Sequence, residues 1–135
     1  MAFLTSLDLR AYKPGEWVVL AGLLYLAKNG ARFMVPRGFI TDLASIPRLL
    51  RWLIDRDGES RQAAVFHDFL YCIHYQTRAE ADALFLEALE ACGVNRVTRY
   101  AMYLGVRSGG WVYWNKRRDG VGQDDFVKPE WFEAA

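Results

Sequence analysis

Cysteine is scarce in this chain, with only Cys72 and Cys92 among 135 residues. A domain of this size folds on its core, so the pair is expected as two free thiols and not as a disulfide framework. No stretch approaches the roughly 18 consecutive apolar residues of a membrane-spanning helix. The opening Met-Ala-Phe-Leu-Thr-Ser lacks the basic region and apolar run of a secretory leader, so the product is expected to be soluble where it is made. Excess charge of one sign is also missing. Seventeen Lys and Arg stand against 16 Asp and Glu, a net charge of +1, which argues against a protein that grips nucleic acid through phosphates. The local exception is Lys116-Arg117-Arg118. There is no phosphate-binding glycine loop ending in Gly-Lys-Ser or Gly-Lys-Thr, no dinucleotide fingerprint, no Cys-x-x-Cys pair and no internal repeat.

What is present is apolar and aromatic. Hydrophobic residues make up 53% of the chain and charged ones 24%, which is the composition of a folded domain. Five Trp, seven Tyr and eight Phe are side chains that favour core edges and interfaces. The first third reads as strands: Glu16 to Leu20, Leu23 to Ala27 and Ala31 to Val35, with Lys28-Asn29-Gly30 as a tight turn between the last two. From Val35 to Arg48 the period fits neither strand nor helix. Ser45 followed by Ile46-Pro47 looks like the N-cap of a short helix from Pro47 to Ile54, closed by Asp55 to Gly58.

Three longer helices follow. One runs from Ser60 to about Tyr75 with Ala64, Val65, Phe69 and Ile73 at helical spacing. Thr77 and Glu80 form a capping-box pattern for a second, from Arg78 to Cys92, with Ala81, Leu84, Phe85, Ala88 and Leu89 on its buried side. The third begins after Asn95, carries Val97, Tyr100, Ala101, Leu104 and Val106, and breaks at Gly109-Gly110. The expected architecture is α+β: a small N-terminal antiparallel β-meander against a C-terminal bundle of three main helices plus one short helix. Residues 1–115 form the single domain and 116–135 a C-terminal tail, whose Gly120 to Gln123 leaves the core.

His67 and Asp68 carry the chemical interest. Neighbours on a helix point about 100° apart, so the two flank different surroundings, while His67 and Tyr71 share a face. The connection to the next helix is too short for anything but an antiparallel neighbour. His67 lies nine residues before Gln76 and Asp82 six after it, roughly 13 and 9 Å along the axes. Asp82 is thus within reach of the imidazole as an orienting carboxylate. Asp68 would then serve separately, with Asp42 and a carbonyl of Gly38 or Ile40, as a hard-oxygen site of calcium type. A competing arrangement uses His67 itself with Asp42, Asp68 and Asp82 for zinc or another divalent metal. A third has no chemistry: His67 is a structural histidine bonded to Asp82, Asp68 pairs with Arg48, Arg51 or Arg107, and Asp42 and Ser45 are turn and helix caps. Ser45 lacks a strand-to-helix nucleophile elbow. His74 is expected at the surface, and Arg78, Arg99 and Arg107 either line an anion pocket or make surface ion pairs.

Two resemblances add to this. The segment Phe33-Met34-Val35-Pro36-Arg37-Gly38-Phe39-Ile40-Thr41-Asp42-Leu43-Ala44-Ser45-Ile46-Pro47-Arg48, together with Ala64 to Tyr71, Arg78 to Phe85 and Met102 to Gly110, resembles the small bacteriophage and prophage proteins grouped as domain-of-unknown-function family 1353. That likeness implies a phage or prophage origin, with tail or other virion proteins as partners. It also implies residence in the host cytoplasm and then, after assembly, in the virion. More locally, His67-Asp68-Phe69-Leu70-Tyr71 is similar to the His-Asp-x-x-Tyr core of phospholipases A2. This likeness implies His67 as the base, Asp82 as its orienting group, Tyr71 beside them and Asp68 as a calcium ligand, acting on a lipid or cell-wall ester or amide. The alternative expectation is a non-catalytic tail or virion assembly protein.

Overall fold

A computed structural model of the chain describes residues 1–57 and 60–134. Gly58, expected to help close the short helix, lies outside them. Six short strands come first: β1 (Ala2–Phe3), β2 (Leu9–Ala11), β3 (Trp17–Val19), β4 (Leu23–Leu26), β5 (Arg32–Val35) and β6 (Ile40–Thr41). A 3-10 turn (Arg48–Leu50) leads into α1 (Arg51–Asp57), and then α2 (Arg61–Ile73), α3 (Arg78–Ala91), α4 (Arg96–Gly109), α5 (Trp111–Lys116) and α6 (Pro129–Ala134) complete the chain. The fold is α+β, as its sequence pattern predicts.

All strand pairs are antiparallel, divided between two three-stranded sheets ordered β1-β4-β5 and β2-β3-β6. The Asn29-Gly30 turn joins β4 and β5, with Gly30 at φ +89° and its N–H donating to the Ala27 carbonyl. Leu23 pairs with Val35 and Leu26 with Arg32. The strand expected to open the meander, β3, pairs with β2 and β6 instead of β4. Partners only two or three residues long leave no alternating pattern to read.

Helix α2 is the axis of the molecule. Ten of its 13 residues, Ala63 to Cys72, are buried, the condition of a helix covered on every side. Each neighbour meets a different layer. Phe66 packs against Phe3, Tyr25 and Phe33 of the first sheet, and Phe69 against Phe39 at 5.1 Å between ring centres. Successive residues 100° apart therefore reach both sheets and the helices behind them. α3 follows antiparallel, its first turn closed by reciprocal bonds between Thr77 and Glu80. Asn95 caps α4 by accepting from the Thr98 N–H.

The end of the chain returns to the body. Phe126 bridges to Phe39, the Val127 N–H donates to the Gly38 carbonyl, and the Arg37 guanidinium covers the Phe132 ring. α4 differs from its sequence pattern in one respect. It buries only Met102 and Val106, whereas Val97, Tyr100, Ala101 and Leu104 face outward.

Candidate functional site

His67 projects from α2 toward α3, where Nε2 lies 2.7 Å from Asp82 Oδ1. On the other side of the ring, Nδ1 lies 3.0 Å from Ser45 Oγ. A carboxylate only accepts, so Nε2 carries the proton and Nδ1 accepts from the serine hydroxyl; the partners assign this tautomer. Tyr71, one turn further along α2, donates to the same Asp82 Oδ1 at 2.6 Å. Arg107 reaches from α4 to Oδ2 at 2.8 Å, with Arg78 of α3 at 3.6 Å. Asp82 thus gathers groups from three helices onto one carboxylate.

Asp68 points the other way, into the loop after β6. Thr41 Oγ1 donates to its Oδ2 at 2.6 Å, and the Ser45 N–H donates to its Oδ1 at 3.2 Å. Ser45 therefore holds both halves of the motif, its hydroxyl on His67 and its amide on Asp68. The loop that delivers it is tightly wound: Asp42 Oδ1 accepts from the Ala44 N–H, Thr41 Oγ1 from the Leu43 N–H, and Leu43 sits at φ +60°. A bulky residue in the left-handed region is strained and persists only where its surroundings impose it.

Burial governs the protonation states. His67 is held below the ordinary imidazole range because burial disfavours its charged form, against the pull of its bond to Asp82. Burial would raise Asp82, but hydrogen bonds from His67, Tyr71 and Arg107 hold it below the usual carboxylate range. These directions agree on a neutral imidazole beside an ionised carboxylate, since Arg107 already supplies Asp82 with a full positive charge. Asp68 moves the other way, raised by burial to about 6 despite the Thr41 and Ser45 bonds.

The network is closed to solvent. Relative exposure is 0% for His67, Asp82 and Tyr71 and 1% for Ser45, Asp68 and Thr41. The His67 ring lies between Tyr71 and Phe85, with centroids 4.3 and 4.5 Å away. A cavity of about 240 Å³ lined by Leu9, Ala11, Trp17, Leu43, Arg61 and Val65 touches the network only at Thr41.

The structure brings together His67, Asp82 and Tyr71, as the helix offset predicts. Asp42 lies near enough to Asp68 for its charge to disfavour the Asp68 carboxylate, but neither it nor Gly38 bonds the same partners. Asp42 is exposed and bonded within its own turn, and the Gly38 carbonyl accepts from the Val127 N–H. Among the described residues no group of three or more His, Cys, Asp and Glu is placed to hold a metal ion. Each Asp68 oxygen accepts one bond from the protein, and no further group of that kind completes a calcium or zinc site around it among the described residues. Ser45 is not a helix cap: Pro47 precedes the 3-10 turn without a side-chain cap, and the Ser45 hydroxyl is turned to His67 instead. His74 is half-buried at φ +57°, stacked on Trp114 at 3.7 Å and bonded to its carbonyl. Arg99 bonds the Val94 carbonyl. Thr41, absent from the expected site, was legible only as a turn residue.

These features define an α+β chain built around an internal histidine–aspartate network. The chain belongs to the family described as protein of unknown function (DUF1353), whose model matches residues 17–106. That span contains the network from Thr41 to Asp82, and Arg107 lies one residue beyond it. Neither the curated proteins nor the solved structures include a match to the chain.

Proposed function

We propose that this chain is a non-catalytic assembly protein of a phage or prophage virion, with tail or other virion proteins as partners. In this reading Ser45, His67, Asp68 and Asp82 form an internal clasp fixing the loop after β6 to α2 and α3. The observation that carries the non-catalytic part is the closure of His67: both ring nitrogens have protein partners and the ring is 0% exposed. The phage setting rests on the likeness of the loop and helix motifs to phage proteins. It implies synthesis in the host cytoplasm and then residence in the particle.

One observation favours a second reading, an ester or amide hydrolase. Hydroxyl, imidazole and carboxylate stand in line as Ser45–His67–Asp82, with the tautomer a base would need. Acyl transfer also needs hydrogen-bond donors where the oxyanion develops. Here the Ser45 N–H is bonded to Asp68, placing a carboxylate beside the hydroxyl. An anion at that position would be repelled by Asp68 in its ionised form. The environment of Ser45 is thus that of an anchored hydroxyl.

The test is incubation of the full chain with phospholipid, peptidoglycan and activated ester substrates, with and without calcium, alongside a fluorophosphonate that labels activated serines. The expected result is no turnover and no label. Turnover lost in both Ser45→Ala and His67→Ala, or labelling lost in Ser45→Ala, would establish the hydrolase instead.

A further inference from the structure

Helices α4 and α5 are almost one helix, since Gly110 between them keeps right-handed helical dihedrals (φ −73°, ψ −16°). Their outward face repeats apolar side chains at turn spacing. Val97 is 82% exposed, Tyr100 41%, Leu104 60% and Trp111 55%. Beside them runs the segment before α2. A Cβ at Gly109 would meet Pro47 at 3.4 Å, and Leu50 packs on Gly105, which sets the 3-10 turn alongside α4. From that segment Leu49 (84%) and Trp52 (57%) also project into solvent. Isolated exposed apolar residues are ordinary, but a periodic row along one helix face marks a contact surface.

The charge distribution identifies the kind of contact. No Asp or Glu occurs between Glu90 and Asp119, while that segment carries six cations: Arg96, Arg99, Arg107, Lys116, Arg117 and Arg118. The rest of the chain carries 11 cations against all 16 acids. A near-neutral molecule therefore has one basic helical segment and an acidic remainder. Arg107 and Arg117 are paired with Asp82 and Asp125. Arg96, Lys116 and Arg118 are exposed and make no ion pair among the described residues. Arg48 adds an exposed cation beside Leu49.

The geometry points to an anionic phospholipid bilayer as the surface this face binds. Trp and Tyr settle at the headgroup level, aliphatic side chains enter the acyl boundary, and arginine and lysine meet lipid phosphate. A twofold contact with a second copy through this face would set its uncompensated cations against their equivalents. The surface presents projecting side chains on a helix flank. That suits a deformable, negatively charged plane. Among the described residues no helix is long and apolar enough to cross the membrane, and the contact proposed is a peripheral one. This inference is independent of whether the chain is catalytic.

Flotation of the full chain with phosphatidylcholine vesicles, with and without phosphatidylglycerol, tests it. The expected result is binding about tenfold or more tighter to the anionic vesicles, weakened by added salt, with a blue shift of tryptophan emission. Leu104→Asp and Arg96→Glu lie outside the buried network. Each is expected to reduce partitioning about tenfold while leaving the circular dichroism and Tm of the chain unchanged. Equal binding to neutral and anionic vesicles, no binding to either, or binding unaffected by Leu104→Asp would overturn the proposal. A dimer in sedimentation that Leu104→Asp dissociates would assign the face to a second copy and overturn it as well.

Discussion

Asp82 Oδ1 accepts from both His67 Nε2 at 2.7 Å and the Tyr71 hydroxyl at 2.6 Å, so one carboxylate oxygen on α3 fastens two consecutive turns of α2. The contact is fully buried, and its removal leaves polar atoms without water to replace their partners. His67→Ala would orphan the Ser45 hydroxyl, remove one donor from Asp82 and open a cavity against Phe85. It is expected to reduce unfolding free energy by about 2–4 kcal/mol, read from urea midpoints at pH 7. A loss below about 1 kcal/mol would mean that the clasp contributes little to stability.

Stability should depend on pH through two opposing groups. His67 is neutral when folded, with its affinity for protons lowered. Its contribution is complete above the unfolded value near 6.5 and is lost as pH falls below it. Asp68 is raised from 3.8 to about 6, so the folded chain binds the extra proton and stability rises as pH falls from about 6 to about 4. At about 1.4 kcal/mol per pH unit, the Asp68 effect amounts to about 3 kcal/mol as an upper bound. In the native chain the two trends oppose each other between pH 4 and 6, so its profile there is expected to be shallower than that of a variant lacking either group.

Single variants separate the two. Asp68→Asn should lose stability steadily below pH 6.5, because only the His67 effect remains. His67→Phe should gain stability between pH 6 and 4, because only the Asp68 effect remains. The slope against pH is the readout, since either substitution also shifts stability by a constant. Identical slopes in both variants would contradict the protonation states assigned to the network.

The pairing of α2 with α3 was legible because its signals are local. Thr77 and Glu80 mark the start of α3, and helical rise alone places Asp82 opposite His67. The role of Ser45 was hidden for the same reason: Ser-Ile-Pro satisfies every local rule for a helix cap, and only the tertiary position of α2 turns its hydroxyl elsewhere. Arg107 was named as a cation able to pair, but its partner depends on how α4 crosses α3, which no sequence spacing encodes. The row Val97, Tyr100, Ala101 and Leu104 is clear as an amphipathic pattern. Periodicity gives the existence of an apolar face and not the identity of what covers it.

Two hydroxyl residues that look alike in sequence should therefore respond differently. Thr77→Ala removes an exposed cap on α3 and is expected to cost about 1 kcal/mol. Ser45→Ala leaves the buried His67 Nδ1 without a donor and is expected to cost about 1–3 kcal/mol. The substitutions also differ in their effect on the imidazole. Only Ser45→Ala should move the His67 ring proton and nitrogen resonances in NMR spectra, and movement of those resonances by Thr77→Ala would show the network to be coupled to the helix start.

Gly110 and Gly105 test how closely α4 approaches its neighbours. At Gly110 a Cβ would lie 2.5 Å from the Tyr71 hydroxyl oxygen, an atom pinned by its bond to Asp82, and 2.5 Å from the Val106 carbonyl oxygen, fixed in the α4 backbone. At Gly105 the obstacle is the end of the Leu50 side chain, which is half-buried and has other rotamers open to it. Alanine also favours a helix over glycine by about 1 kcal/mol, which offsets part of any clash. Gly110→Ala is therefore expected to destabilise by about 1–3 kcal/mol, and Gly105→Ala by less than about 1 kcal/mol. Combining Gly110→Ala with Tyr71→Phe separates steric relief from hydrogen bonding. Phenylalanine lacks the obstructing oxygen, so the double variant should be more stable than the sum of the two single losses predicts, whereas strict additivity would place the strain of Gly110→Ala elsewhere than at Tyr71.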